Sequence, residues 1–288
     1  MAWEFRRHVE EELIKKLIKE PLWKEKLKGD CEKGEVFLTI RNDYISFYHG
    51  GGCLFTFDIM EGFKTHIKYA SVIDATDENT KINYIRQDQL KNLPLISDFS
   101  AGYDGIKKNC ELYSGEEAKG VSNLYRKSSY LHDKSIVVLD IEIAFKKNDG
   151  KKQDRIDILL YDKKSQTLRF VEAKHFSNSD LWAESTPRVI SQIEKYEKQI
   201  KQYEENLIRE YGLYIDGLNR IFGKQFKKPR DIEPKVSLLI FGFDNAQKHD
   251  DRFKKLILNN PEYKKIPYYC KGNPKKDFNA ENIWNEAK

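Results

Sequence analysis

Asp157, Glu172 and Lys174 are the residues of this chain whose types and spacing can do chemistry together. Asp157 stands in Arg155-Ile156-Asp157-Ile158-Leu159-Leu160, and the other two in Phe170-Val171-Glu172-Ala173-Lys174. Both segments have the composition of β-strands, along which successive side chains point to opposite faces. Ile156, Ile158 and Leu160 therefore face one way and Asp157 the other, while Glu172 and Lys174 share a face. On adjacent strands, two carboxylates and one ammonium converge within a few ångströms. Carboxylates held together among apolar neighbours repel and lose hydration. A divalent cation removes that cost: Mg²⁺ takes oxygen ligands, keeps several waters and is typically held by one or two carboxylates plus substrate phosphate. Such an ion activates water and neutralises charge at a phosphodiester. Lys174 would position that water, help deprotonate it or stabilise developing negative charge.

The elements that must position these residues are legible around them. A helix is expected over about 115–131 and an apolar strand over Ser135–Phe145. A hairpin turn follows at Lys146–Lys152, containing Asn148-Asp149-Gly150, then strands at Arg155–Tyr161 and Leu168–His175. One long helix is expected from Pro187 to Tyr211, with Thr186 as N-cap, then a strand at Val236–Phe243, a short helix at Asp250–Leu258 and a fifth strand at Ile266–Cys270. The first third reads differently. Phe5, Val9, Leu13 and Leu17, widened by Ile14 and Ile18, predict an amphipathic helix over 3–28, interrupted at Pro21 and ended by Gly29. Short strands follow at Val36–Ile40, Tyr44–Tyr48 and Leu54–Phe57, with turns at Asn42-Asp43 and His49–Gly52. The triple glycine lacks the Lys-Ser/Thr of a P-loop and reads as a plain turn. Residues 76–110 are polar and mixed, with turn signals at Pro94 and Gly102, and an ordered alternation of helix and strand begins near 111.

This arrangement resembles the PD-(D/E)XK nuclease superfamily, in which an Asp ends one strand and Glu-x-Lys or Asp-x-Lys follows on its neighbour. Asp157 matches the first position and Glu172-Ala173-Lys174 the second. Other Glu-x-Lys triplets, such as Glu117-Ala118-Lys119 and Glu262-Tyr263-Lys264, sit in polar or turn-like segments. Exonuclease-like branches add Gln-x-x-x-Tyr on the next helix, matched by Gln192 and Tyr196, four apart and hence on one helical face. The resemblance covers roughly residues 111–270. It implies an α/β fold with a restriction-endonuclease-like core, a mixed central sheet flanked by helices, over 111–288. Residues 1–110 are expected to form a separate or appended α+β module, for recognition or dimerisation. It implies Mg²⁺ or Mn²⁺ bound by Asp157, Glu172, the Ala173 carbonyl and an upstream acid, for which Glu142 is the candidate, with Glu116 and Glu117 as rivals. The implied activity is metal-dependent hydrolysis of phosphodiester bonds, foremost in DNA, in restriction, phage defence or repair. RNA stays open because the superfamily includes RNases, and a homodimer because many relatives that cut both strands are dimers. The alternative is a nucleic-acid-binding module with a nuclease fold whose catalysis is absent or waits for a partner.

Each residue also has a plainer reading. Asp157 can be a strand-end partner of Arg155. Glu142 can lie on a solvated edge, with Asp140 its nearest substitute. Gln192 and Tyr196 can form the polar border of a helix whose apolar stripe is Val189, Ile193, Ile200 and Leu207. His175 points to the sheet face opposite Lys174 and reads as packing. With 288 residues and 39% hydrophobic content the chain can bury a core, and no apolar run approaches the roughly 18 residues a membrane span needs. No signal peptide is read at the N-terminus. The net charge of +5 permits a polyanionic partner without demanding one. Cys31, Cys53, Cys110 and Cys270 are scattered, without zinc spacing, and read as free thiols of a cytoplasmic protein.

Overall fold

The structure, a computed structural model, describes residues 5–70, 84–87, 98–145 and 155–287. The chain divides into two units, one of Arg6–Ser122 with Leu213–Gln225, the other of Met1–Phe5, Asn123–Gly212 and Phe226–Lys288. It is a mixed α/β protein, with one sheet in each unit among the described residues. The expected hairpin turn at Asn148-Asp149-Gly150, and Pro94, lie outside the described residues.

In the first unit the single helix expected over 3–28 is replaced by two helical runs. Helix α1 covers only Glu11–Leu17; Phe5 and Val9 precede it, buried but not helical. Pro21, which no helix interior accommodates, stands at the start of the second run. That run passes through a π-helical turn at Trp23–Leu27 into α2, Lys28–Glu32. Gly29 lies inside α2 and does not end it. The stop is Gly34, at φ 76°, where N–H groups of Gly34 and Glu35 bond back to the carbonyls of Cys31 and Asp30. A residue without Cβ takes this left-handed cap without strain.

Strands β1 (Phe37–Ile40), β2 (Tyr44–His49), β3 (Gly52–Asp58), β4 (Gly62–His66) and β5 (Tyr84–Arg86) pair antiparallel in that order. Their alternation of buried and open positions marks one face as core. There Phe55 meets Phe63 and Phe99 and stacks on Tyr103. After the short α3 (Ile67–Ala70), helix α4, Tyr103–Leu112, supplies that last ring. It falls in a stretch that reads as polar and mixed, because Tyr103, Ile106 and Cys110 keep helical spacing but sit among Gly102, Gly105 and charges. The triple-glycine turn packs on the next helix, α5 (Glu116–Ser128): a Cβ on Gly51, at φ 94°, would stand 2.6 Å from the Ala118 backbone carbon. Close approach and a left-handed backbone together account for Gly51.

In the second unit β6 (Ile136–Ala144), β7 (Arg155–Asp162) and β8 (Thr167–His175) form an antiparallel meander. The chain then crosses over through α6 (Arg188–Gln202) and α7 (Glu204–Phe222), as a parallel neighbour requires. The expected single helix breaks at Tyr203, φ −121°, and its N-cap is Pro187 instead of Thr186. Two residues of β9 (Asp231–Ile232) pair with the start of β8. Strands β10 (Ser237–Phe241) and β11 (Tyr268–Lys271) then lie parallel to β8, giving the order β11-β10-β8-β7-β6. Every residue of β10 is buried, as in a strand covered on both faces. Among the described residues no helix is long and apolar enough to cross a membrane.

Candidate active site

The site is made where β7 and β8 part. Their backbone pairing runs from Asp162↔Thr167 to Ile158↔Val171. One step further, the N–H of Ala173 donates to Oδ2 of Asp157 at 2.8 Å, so a side-chain carboxylate takes the place of a strand acceptor. In an antiparallel pair a residue's N–H and C=O point to the same neighbour. The Ala173 carbonyl therefore opens into the same gap as the Asp157 carboxylate. The other edge of β8 stays bonded to β10 through Glu172↔Leu238, Lys174↔Ile240 and His175↔Phe241. One edge is held by a buried strand while the other presents donor atoms.

Glu172 and Lys174, two apart on β8, share a face, and the Lys174 ammonium donates to Glu172 Oε1 at 2.6 Å. The side chains are 1% and 9% exposed. Burying both charges costs several kcal/mol of hydration per ion, which their attraction barely repays, so such a pair adds little to stability. Asp157 is half-buried at the same level of the sheet, since continuing the register past Ile158↔Val171 sets it opposite Glu172. The two carboxylates and the amine of the sequence argument thus occupy adjoining positions on adjacent strands.

Glu142 stands opposite Asp157 on the other side of β7, between the pairs Ile141↔Ile158 and Ile143↔Ile156. Its backbone is left-handed, φ 53°, an uncommon state for a residue with a Cβ. Its carboxylate is half-buried and takes Arg155 Nη1 at 3.2 Å. Arg155, weighed as a partner for Asp157, thus reaches Glu142. Asp140 is fully buried and turned to other work: Oδ1 accepts the N–H of Ile141 and Oδ2 the hydroxyl of Tyr211 on α7, at 3.0 Å.

Gln192 and Tyr196 meet as their spacing on α6 predicts. The Gln192 amide donates to the Tyr196 hydroxyl at 2.7 Å, and that hydroxyl donates to the Arg155 carbonyl at 2.8 Å. Tyr196 is wholly buried, between Phe145 and the strand. The pair braces the first residue of β7, two before Asp157. His175 packs edge-on against Phe241 and bonds to Ser177, as a residue on the opposite face should. Gly242 takes φ 85°, and a Cβ there would also lie 2.1 Å from the imidazole.

Among the described residues no group of three or more His, Cys, Asp or Glu is disposed to hold a metal ion. Two carboxylates and a backbone carbonyl are nonetheless hard oxygen donors of the kind that Mg²⁺ takes from a protein. Comparison with protein-family models, with curated proteins and with solved structures finds no match to this chain.

Proposed function

We propose that this chain is a divalent-metal-dependent nuclease with a restriction-endonuclease-like core, hydrolysing phosphodiester bonds, foremost in DNA. The observation that carries the reading is the buried Glu172–Lys174 pair standing opposite Asp157 where β7 and β8 part. A carboxylate and an ammonium kept together in an apolar sheet add little to stability, so a role in chemistry explains them better than packing does. Asp157, Glu172 and the Ala173 carbonyl would hold Mg²⁺ or Mn²⁺, with Glu142 completing the set from the far side of β7. When bound, the ion supplies charge neutralisation at the phosphodiester and an acidified water. The residues do the rest. Lys174 places a positive donor beside the reacting phosphate, orienting water through Nζ and stabilising developing negative charge. Gln192 and Tyr196 hold the backbone that carries Asp157, so their part is positioning.

The second reading is a nucleic-acid-binding module without catalysis of its own. It is favoured by one feature, the direct contact of Lys174 with Glu172, which leaves the pair neutralised as it stands. Cleavage of supercoiled plasmid and of linear single- and double-stranded DNA, with Mg²⁺, Mn²⁺ or EDTA, decides between them. The nuclease reading expects metal-dependent products from wild type and none from Asp157→Asn or Lys174→Met. Binding without cleavage by wild type under every condition would replace it with the second reading.

A further inference from the structure

A second cluster of charges lies at the carboxyl ends of β10 and β11. A cleft of about 420 Å³ opens there, lined by Phe243, Asp244, Lys248, Lys271 and Lys276 among others. Three lysines and one aspartate are among its lining residues. That carboxylate is engaged: Asp244 Oδ1 accepts the N–H of Gln247 at 2.8 Å, and the Gln247 side chain accepts the N–H of Asp244 at 2.9 Å. Lys271 lies 3.7 Å from Glu286 and over the ring of Tyr269. Lys248 and Lys276 come from the segments that follow the two strands, and both are exposed. The backbone under the cleft is tightly tied. The Gly242 N–H donates to the Gly272 carbonyl, and Gly272 lies so close to the Phe243 carbonyl oxygen that a Cβ would stand 2.3 Å from it.

Strands β8, β10 and β11 are parallel, so their carboxyl ends share one edge of the sheet. Lys174 pairs with Ile240 and Ile240 with Cys270, which lines the cleft. Two strand spacings separate Lys174 from Cys270, about 10 Å, a distance that about three nucleotides of duplex rise would cover. In open α/β sheets ligands gather outside the carboxyl ends of the strands. Lysine binds phosphate as a point charge. Phe243 is buried, so the cleft offers that ring to no base and fits a backbone contact that positions without reading sequence.

We infer that this cleft is a phosphate-binding subsite for the nucleic-acid strand, holding a backbone phosphate a few nucleotides from the one that Lys174 faces. The inference rests on the nuclease reading of the Asp157–Lys174 site. Its test uses the full chain and labelled single- and double-stranded DNA oligonucleotides, with binding followed by anisotropy in EDTA over a salt series. The variant Lys248→Gln/Lys271→Gln/Lys276→Gln is compared with Lys254→Gln/Lys264→Gln/Lys265→Gln, which removes the same charge elsewhere. The cleft variant is expected to bind about tenfold more weakly at physiological salt, its log K against log salt slope falling by at least about 0.7, the single-strand value for one phosphate contact. The control should keep the wild-type slope. Equal slopes in the two variants, no binding by wild type, or inorganic phosphate or a mononucleotide competing as well as the oligonucleotide would each overturn the subsite. Selective loss of binding in the cleft variant, beside a wild type that never cuts, would sink the nuclease reading and leave the subsite standing.

Discussion

At the scale of single residues, the buried Glu172–Lys174 pair sets the strongest expectations. Removing one member leaves an unscreened charge in the sheet, which typically costs about 3–5 kcal/mol, whereas removing both at once can be nearly neutral. Lys174→Met should therefore lower the melting temperature sharply, and Glu172→Gln/Lys174→Met should recover most of the loss. A double variant no more stable than Lys174→Met would mean that the two charges do not compensate each other. The metal reading adds that Mg²⁺ should raise the melting temperature of Lys174→Met more than that of wild type, because the ion then compensates the Glu172 carboxylate; equal shifts would count against Glu172 as a ligand. Asp157 separates charge from hydrogen bonding. Asp157→Asn keeps an acceptor for the Ala173 N–H and should fold like wild type while losing activity. Asp157→Ala strands that N–H and should cost a further 1 to 3 kcal/mol or so in denaturant unfolding.

At the scale of elements, α6 acts on the site through one hydroxyl. Tyr196→Phe removes the donor to the Arg155 carbonyl and the acceptor for Gln192. It should lower kcat with little effect on oligonucleotide affinity, because β7 loses its brace while the phosphate-binding lysines stay; a change confined to affinity would place Tyr196 against substrate instead. In the other unit, α4 is tied to α2 by Asp30, which accepts from the Tyr103 hydroxyl at 2.8 Å and from Lys107 at 2.6 Å. Burial pushes the Asp30 carboxyl up, but the hydrogen bonds from Lys107 and Tyr103 outweigh it and hold the group below its usual value. A depressed carboxyl contributes stability that is full above its unfolded value, about 4, and lost as pH falls through the folded one. Asp30→Asn should thus be less stable than wild type at neutral pH, with the gap closing below about pH 4. A gap that persists to the lowest pH would show that the charge is not its source.

At the scale of the whole molecule, the chain does not part at one place. Leu213–Gln225, the end of α7 and the loop after it, belongs with Arg6–Ser122. There Phe222 meets Trp23 at 5.6 Å between ring centroids, and a Cβ on Gly217 would lie 2.5 Å from Ile40 Cδ1. A fragment of residues 111–288, the domain that the resemblance implies, keeps the helix but loses what covers Tyr214, Ile215 and Leu218, all buried in the full chain. Such a fragment is expected to bind a hydrophobic dye and to lose amide protection over 213–222. Full protection there would show that α7 needs no partner from the first unit.

Strands β1 to β3, β6 to β8, β10 and β11 were legible in the sequence, whereas β4, β5 and β9 were not. Period-two alternation is local, and it placed Asp157 against Ile156 and Ile158, and Glu172 beside Lys174, without any knowledge of neighbours. The Gln192–Tyr196 pairing was likewise local, since four residues make one helical turn. The start and stop of the first helices were misread because Pro21 and Gly29 are ambiguous signals: a proline can open a helix as well as break one, and only Gly34 meets a left-handed backbone. What tertiary structure alone decided is where the polar atoms end. That Arg155 reaches Glu142, that Asp140 spends its carboxylate on Tyr211, and that Lys248, Lys271 and Lys276 share a cleft all depend on contacts between distant segments. The physical reason is range: a strand's pattern records which side is apolar, but the partner of a buried charge is set by the packing of elements far apart in the chain.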